Sequence, residues 1–447
     1  MQANHELSRV SVSFDESNLV PNAGLLPAAV LAQRIDLSGL IDSRLHLAKH
    51  GANSGAKALT VIGAMLAGGD SIDDVAVLRA GAAASLFDGT RAPSTVGSWL
   101  RAHKWSNVRQ LDAISRELLA RLWAAGAGPT DLAAPLTIDL DSTIVEVHGR
   151  AKQGAAFGYT GVRGYHPPLA TCAQTGQVLM SRLRGGSAGA ARGAASFLTE
   201  TISRVRNAGG TGQLTVRADS AFYSKKVLAT AAKFDVRFSV TARQDKRVRA
   251  AIDAIADDAW QSIPYGCRRR RSPAPTSPRS RSPSSPATAG TPVRSASWSA
   301  GSGRHLARSW RCSPPGTSTP SSPTGICHWP RWRPTTAGTR SSSSQPSSCT
   351  SRTEQEGLQI TSGRFMANAA WLALTVMAHN LGRAVGQLAG PDLQRATAST
   401  LRRKVFTMPG RLVHSGRRRH LRLPENWPWR DAITTALTAV TATPMRC

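Results

Sequence analysis

The chain has 447 residues, enough for two or three domains with a substantial core. Its 56 lysines and arginines face 27 acids, a formal charge of +29, which points to a polyanionic partner, most commonly nucleic acid. No apolar run is long enough to span a bilayer, and the polar start Met1-Gln-Ala-Asn-His-Glu lacks the pattern of a signal peptide, so the expected location is the cytoplasm, beside the nucleoid. The six cysteines include no Cys-x-x-Cys pair, and Cys327-His328 has no second ligand pair at zinc spacing. Neither a disulfide framework nor a zinc site is expected.

Taken in order, residues 10–14 alternate as Val-Ser-Val-Ser-Phe, and a turn is expected at 21–24. From 25 to about 125 the apolar residues recur three and four apart, in 25–32, 58–67, 72–79 and 108–119, the signature of amphipathic helices in a small bundle. With Ser71, Ser94 and Thr95 as N-cap candidates, this segment suits either a helix-turn-helix docked on DNA or a bundle that packs on the next domain. Gly, Ala and Pro between 124 and 135 mark a linker.

The stretch Leu136-Thr-Ile-Asp139-Leu-Asp141-Ser-Thr143-Ile-Val-Glu-Val147 reads as a buried strand that nevertheless carries two carboxylates. Alternation places Asp139, Asp141 and Thr143 on one face, with Ile138, Leu140 and Ile144 on the other. Buried carboxylates are costly unless paired or coordinated, so the strand suggests a cation site. The competing reading has one Asp capping the strand end and the other bonded to a loop. A glycine-rich loop follows at 152–159, then a hairpin from 169–173 and 178–184 around Gln174-Thr-Gly-Gln177. A helix over about 191–206, a strand at 214–219 ending in Asp219, a helix at 224–234, a strand at 236–242 and a helix at 246–260 complete the series.

Three meandering strands, then helix, strand, helix, strand, helix, is the element order of the ribonuclease-H-like fold, a mixed α/β sheet flanked by helices. In that order the first and fourth strands are neighbours, which would bring Asp141 and Asp219 together at the sheet edge. Two such acids and a third from a later helix suit a pair of divalent cations roughly 4 Å apart, as used in in-line phosphoryl transfer.

The residues also carry a family resemblance, over about 10–265 and 356–430. Ala92-Pro-Ser-Thr95, Ile138-Asp-Leu-Asp-Ser-Thr143, Lys152-Gln-Gly-Ala-Ala-Phe-Gly-Tyr159 with Gly164-Tyr-His-Pro167, Val216-Arg-Ala-Asp-Ser-Ala-Phe222, and Ser362-Gly-Arg-Phe365 with Asn368-Ala-Ala-Trp371 together resemble bacterial insertion-sequence transposases of the DDE class. The resemblance implies cut-and-paste transposition. It makes Asp141 and Asp219 the first two catalytic and metal-binding acids, holding Mg²⁺ or Mn²⁺, with Asp139 a neighbouring or substitute ligand. It also implies double-stranded DNA as partner, both terminal repeats and target, and a homodimer that synapses two ends. A non-catalytic DNA-binding protein derived from a transposase is the alternative.

Residues 267–353 break the pattern. They contain no Asp, Glu, Lys, Phe, Asn, Tyr or Met, and are dominated by Arg, Ser, Pro, Thr, Ala and Gly. Such a segment is expected to be disordered. Setting aside its 14 arginines leaves +15, so the inference of a polyanionic partner survives. The abrupt change, with family-like sequence on both sides, suggests translation out of frame from near Gly266 to near Glu354. The resemblance places the third acid, a helical glutamate, in that interval. Glu354 and Glu356 are the nearest acids; Glu356 is the candidate catalytic residue, and both also read as solvated loop or helix-end residues.

Beyond the break, 365–385 reads as a core helix, with His379 and Asn380 as packed polar residues, and 401–406 and 411–424 alternate basic and apolar residues like strands. The expected organisation is a helical DNA-end-binding domain at 1–125 and a first catalytic part at 130–265. The low-complexity segment at 266–353 and a C-terminal catalytic part with a basic tail at 354–447 complete it.

Overall fold

The computed structural model describes residues 10–242, 245–256, 362–416 and 418–446, and the backbone of 261–263 and 293–295. Two compact units result, one of Met1–Leu214 with Gln345–Cys447, the other of Thr215–Ser344. The elements in chain order begin with β1 (Leu19–Val20), α1 (Leu26–Arg34), α2 (Leu37–Arg44), α3 (Ser54–Ala67), α4 (Ala83–Leu86), α5 (Pro93–Arg101) and α6 (Trp105–Ala124). Then come β2 (Leu136–Ser142), β3 (Val145–Glu146), β4 (Ala156–Phe157), β5 (Arg163–Tyr165), β6 (Pro168–Cys172), β7 (Val178–Ser181) and α7 (Ala194–Asn207). Next are β8 (Leu214–Ala218), α8 (Lys225–Lys233), β9 (Arg237–Val240), α9 (Lys246–Asp253), β10 (Gln261–Ile263) and β11 (Val293–Ser295). The described chain closes with α10 (Phe365–Leu388), α11 (Pro391–Gln394), α12 (Ala398–Leu401), β12 (Gly410–Ser415), β13 (Arg418–Arg422) and α13 (Arg430–Ala442).

In the first unit, α3 buries Ala58, Val61, Ile62 and Met65 and stops at Gly68, whose left-handed φ of 109° closes the helix. Helix α6 buries Leu111, Ile114, Leu118 and Leu122 along one stripe. Helix α10 is apolar nearly all round, as suits a helix surrounded by protein. Its Trp371, Leu374, Met377 and Leu381 enter the same core as the apolar faces of α1, α2, α3, α5 and α6. The helices of 25–125 therefore share one core with 365–388, although more than two hundred residues of sequence intervene.

The same helix grips the β6–β7 hairpin. Strands β2, β6 and β7 run antiparallel in that lateral order, with Asp139 opposite Thr171 and Asp141 opposite Leu169. Asn380, wholly buried, accepts from the Val178 backbone N–H at 2.8 Å and donates to the Val178 carbonyl at 2.8 Å. One amide side chain thus serves both polar groups of a strand residue where the β6–β7 register shifts. Beside it, Arg383 donates to the Thr175 and Gln394 carbonyls, and His379 Nε2 meets the Gly176 carbonyl at 2.9 Å.

The second unit holds β8 and β9, a parallel pair with Val216 opposite Phe238 and Ala218 opposite Val240, joined through α8. Ser224 caps α8 by accepting from Val227 N–H, and Val227 and Ala231 form its buried face. The described strands thus mix antiparallel and parallel pairing among many helices, a mixed α/β fold.

Several elements differ from the sequence expectations. Val10–Phe14 makes no strand: Val12 and Phe14 are exposed, and the strand forms at Leu19–Val20, where Gly410 and Arg411 of β12 supply a partner edge. Asp73–Arg79 is a 3₁₀ helix, and Ser71 donates its hydroxyl to Asp74 instead of capping an α-helix. Ser94 and Thr95 lie inside α5, which begins at Pro93. Strand β2 ends at Ser142, because the Thr143 N–H turns aside to the Pro167 carbonyl and Val145 pairs with Tyr165 of a second small sheet. Arg402–Phe406 winds as a π-helical turn rather than a strand. Within 266–353, expected to be disordered, Val293–Ser295 pairs antiparallel with Gln261–Ile263; other residues of that segment lie outside the described ones.

Two predictions follow from these contacts. Asn380→Ala leaves two buried backbone groups of Val178 unpaired and should cost about 2–4 kcal/mol in urea unfolding, while Thr434→Ala on the exposed face of α13 should change stability by less than about 0.5 kcal/mol. His103 and His379 are held down to about 4 from 6.5, chiefly by burial. The unfolded chain therefore takes up these protons first, so stability is full above pH 6.5 and falls as pH drops toward 4. Each histidine should contribute a slope of about 1.4 kcal/mol per pH unit within that window, and His379→Gln should remove one such increment.

Candidate active site

Strand β2 carries its two acids differently. Asp139 is buried, at 5% exposure, and its charge adds to burial in pushing the Cys172 thiol up. Asp141, near the strand's carboxyl end, is partly exposed and accepts from the Ser142 N–H at 2.7 Å. Ser142 Oγ lies 2.9 Å from His166 Nε2, while His166 Nδ1 lies 2.7 Å from the Ala188 carbonyl. A carbonyl only accepts, so Nδ1 donates to Ala188, and in that tautomer Nε2 accepts the hydrogen bond of the Ser142 hydroxyl. His166 was visible in sequence only as part of Gly164-Tyr-His-Pro167; no periodicity or spacing marked it as the residue that orients the neighbour of Asp141.

The motifs Lys152–Tyr159, Gly164–Pro167, Ser362–Phe365 and Asn368–Trp371 meet at the start of α10. Gln153 N–H donates to the Gly363 carbonyl at 2.9 Å, and Phe365 N–H donates to Gln153 Oε1 at 3.2 Å. Tyr165 Oη donates to the Gln153 carbonyl at 2.6 Å, and Asn368 Nδ2 reaches Tyr165 Oη at 3.3 Å and the Ser362 carbonyl at 2.9 Å. Gly154, at φ 78°, lies against Phe365: a Cβ there would sit 2.6 Å from the ring. These residues form a clasp that ties the β3–β5–β4 sheet to α10. Their role is to position the segment that follows β2.

In the second unit, Asp219 closes β8 at its carboxyl end. It accepts from Ala221 N–H at 3.0 Å, capping a 3₁₀ turn anchored by the buried Phe222. Carboxyl ends of parallel strands are where open α/β sheets bind ligands. In the first unit, Leu136 N–H at the start of β2 donates to the Gln213 carbonyl, just ahead of β8. Glu356 lies outside the described residues, and among those described no three His, Cys, Asp or Glu side chains gather as a ligand cluster. The donors on Asp139, Asp141 and Asp219 are hard carboxylate oxygens, which fit Mg²⁺ or Mn²⁺.

A basic surface lies on the β12–β13 ribbon. Residues 401–423 hold eight lysines and arginines, two histidines and no acid. Leu412 and Leu421 face inward, while Arg411, Arg418, His420 and Arg422 are exposed on the other face, with Arg411 directly opposite Arg422. Like charges across a ladder are unfavourable, and Glu16, 3.2 Å from Arg411, offsets the charge of that one arginine.

Residues 2–311 and 352–445 match the family described as "Transposase DDE domain group 1". The chain belongs to this family of DDE transposases. The unmatched interval 312–351 falls inside the arginine- and serine-rich segment. Among solved structures, the piggyBac transposase synaptic complex with hairpin DNA is similar at 12% identity and a TM-score of 0.36, over 93% of this chain and 85% of that one. The Mos1 transposase paired-end complex is similar at 14% identity and a TM-score of 0.17, over 35% of this chain and 52% of that one. Comparison with curated proteins finds no match.

The clasp predicts a graded glycine series. Gly154→Ala should destabilise by about 1–3 kcal/mol more than Gly149→Ala, since both have positive φ but only Gly154 has a neighbour within 4 Å of the added carbon. Phe365→Leu should recover part of the Gly154→Ala loss in thermal denaturation.

Proposed function

We propose that this chain is a metal-dependent cut-and-paste transposase of a bacterial insertion sequence, with a ribonuclease-H-like catalytic domain. Membership of the DDE family carries the reading; we assign its two leading acids to Asp141 and Asp219 from the sequence motifs around them, and each carboxylate accepts from a backbone N–H at the end of a strand. Asp141 and Asp219 would each serve as a ligand of Mg²⁺ or Mn²⁺, with Asp139 as a neighbouring or substitute ligand and Glu356 as the candidate third acid. The metal supplies Lewis-acid stabilisation of the attacking and leaving oxygens. The chain's own contribution is to hold the carboxylates on rigid strand ends, to orient Ser142 through His166, and to fix the DNA. Hydrolysis by water at the element's end would free a 3′-hydroxyl. Its attack on the opposite strand would expel the flanking 3′-hydroxyl and leave a hairpin. A second water would open that hairpin to restore the 3′-hydroxyl, which then attacks a target phosphodiester and expels the target's 3′-hydroxyl. The helices of 25–125 would bind terminal repeats, the basic β12–β13 ribbon would track phosphates, and a homodimer would bring two ends together.

A second reading, a DNA-binding protein without catalysis, is favoured by one observation: 267–353, where the family's third acid is expected, contains no Asp or Glu. Nicking of a supercoiled plasmid carrying the cognate ends, with Mn²⁺, separates the two. Asp141→Asn and Asp219→Asn should each reduce nicking at least about 1,000-fold while leaving duplex affinity within about 2-fold, as expected when a group acts in the transition state alone. Nicking that survives Asp141→Asn removes the carboxylate from the mechanism. A wild-type chain that binds DNA but shows no carboxylate-dependent Mn²⁺ binding in calorimetry supports the second reading.

A further inference from the structure

A small pocket of about 60 Å³ opens at the start of α7, lined by Pro168, Arg182, Arg184, Arg192, Gly193 and Phe197. Its volume admits a group several waters in size. Three guanidinium groups share this space; Glu200, 2.8 Å from Arg182, also lies 3.5 Å from Arg109, so its one charge is divided between two arginines. Arg184 is built in: Nε donates to the His166 carbonyl at 3.2 Å and Nη1 to the Arg192 carbonyl at 2.7 Å. Its Nη2 is buried and, among the described residues, has no hydrogen-bond partner. Burial, then Arg182 and Arg192, make its positive charge harder to hold. An arginine keeps its proton at any ordinary pH, so the remedy for such a cluster is an anion. Helix α7, fourteen residues long and entered through Gly193 at φ 71°, adds the positive end of its dipole.

The pocket is tied to the strand that carries Asp141. Pro168 stands opposite Ser142 in the β2–β6 ladder, one rung beyond Asp141, and the His166 whose carbonyl receives Arg184 also bonds Ser142 Oγ. We propose that Arg182, Arg184 and Arg192 form a phosphate-binding site that holds a backbone phosphate of the DNA strand beside Asp141. This rests on the transposase reading for the identity of the anion, not for the existence of the site. Planar guanidinium groups suit a tetrahedral phosphate, which they bind through paired N–H donors.

The test uses the full-length chain and two probes, inorganic phosphate and a fluorescent random-sequence duplex. Arg182→Gln/Arg192→Gln leaves the Arg184 scaffold in place; Arg192→Gln alone, at an exposed position, carries the test if the double variant does not fold. Inorganic phosphate should raise the Tm of the wild type above that in chloride at equal ionic strength, and the variant should lose that rise. The slope of log Kd against log salt for the duplex should fall by about 1 in the variant, the value of one lost phosphate contact. Lys225→Gln/Lys226→Gln on α8, which removes the same formal charge, should keep the phosphate response. Equal phosphate response and equal slope in wild type and variant overturn the site. A lost phosphate response with an unchanged duplex slope overturns the assignment to DNA. Asp141→Asn is measured alongside: if it still nicks DNA, the transposase chemistry fails while phosphate binding at the pocket is judged on its own result.

Discussion

The architecture of the first unit depends on what α10 does with its polar residues. An apolar helix can slide or rotate within a greasy core at modest cost, but Asn380 allows one register, because its amide must meet both the N–H and the carbonyl of Val178. Arg383 and His379 extend that grip across the Thr175–Gly176 turn. The helix that fills the bundle of α1–α6 is thereby locked to the hairpin next to β2, and the clasp of Gln153, Tyr165 and Asn368 fixes its other end. Helical core and acid-bearing strand are positioned by one rigid rod.

Local patterns were legible where a single segment decides its own structure. The three- and four-residue spacing of 58–67 and 108–119 marks α3 and α6, and Gln174-Thr-Gly-Gln177 marks the turn that Gly176 closes with φ 69°. That Asp219 ends a strand was legible too, since Leu214-Thr-Val-Arg-Ala stops being strand-like at the acid. Partnership was not. Periodicity says that α10 buries its surface, yet nothing in 365–385 names α3 and α6 as the surfaces it meets. Alternation at Val10–Phe14 was real but had nothing to pack against, and the run through Val147 looked continuous because Thr143 diverts its backbone without changing the pattern of residue types.

The same distinction governs the site. Two aspartates separated by one residue on an apolar strand announce themselves, whereas His166, Arg184 and the Ala188 carbonyl come from separate segments and meet only through tertiary structure. The motif residues Tyr165 and Asn368 hold one another and the backbone. Asp141 is followed directly by a residue whose hydroxyl is oriented from outside the strand, so the end of β2 is fixed by hydrogen bonds from two directions.

The core shared by 25–125 and 365–388 has a consequence for synthesis. A ribosome exposes α1–α6 long before α10, so the growing chain carries the apolar faces of Leu111, Ile114 and Leu118 without the helix that covers them. A product that ends early, through a stop codon or a lost frame in the intervening segment, retains that uncovered surface permanently and is a target for chaperones and proteases. Completion of the polypeptide is thus a condition for the N-terminal helices to persist, which ties any DNA binding by them to the presence of the C-terminal half.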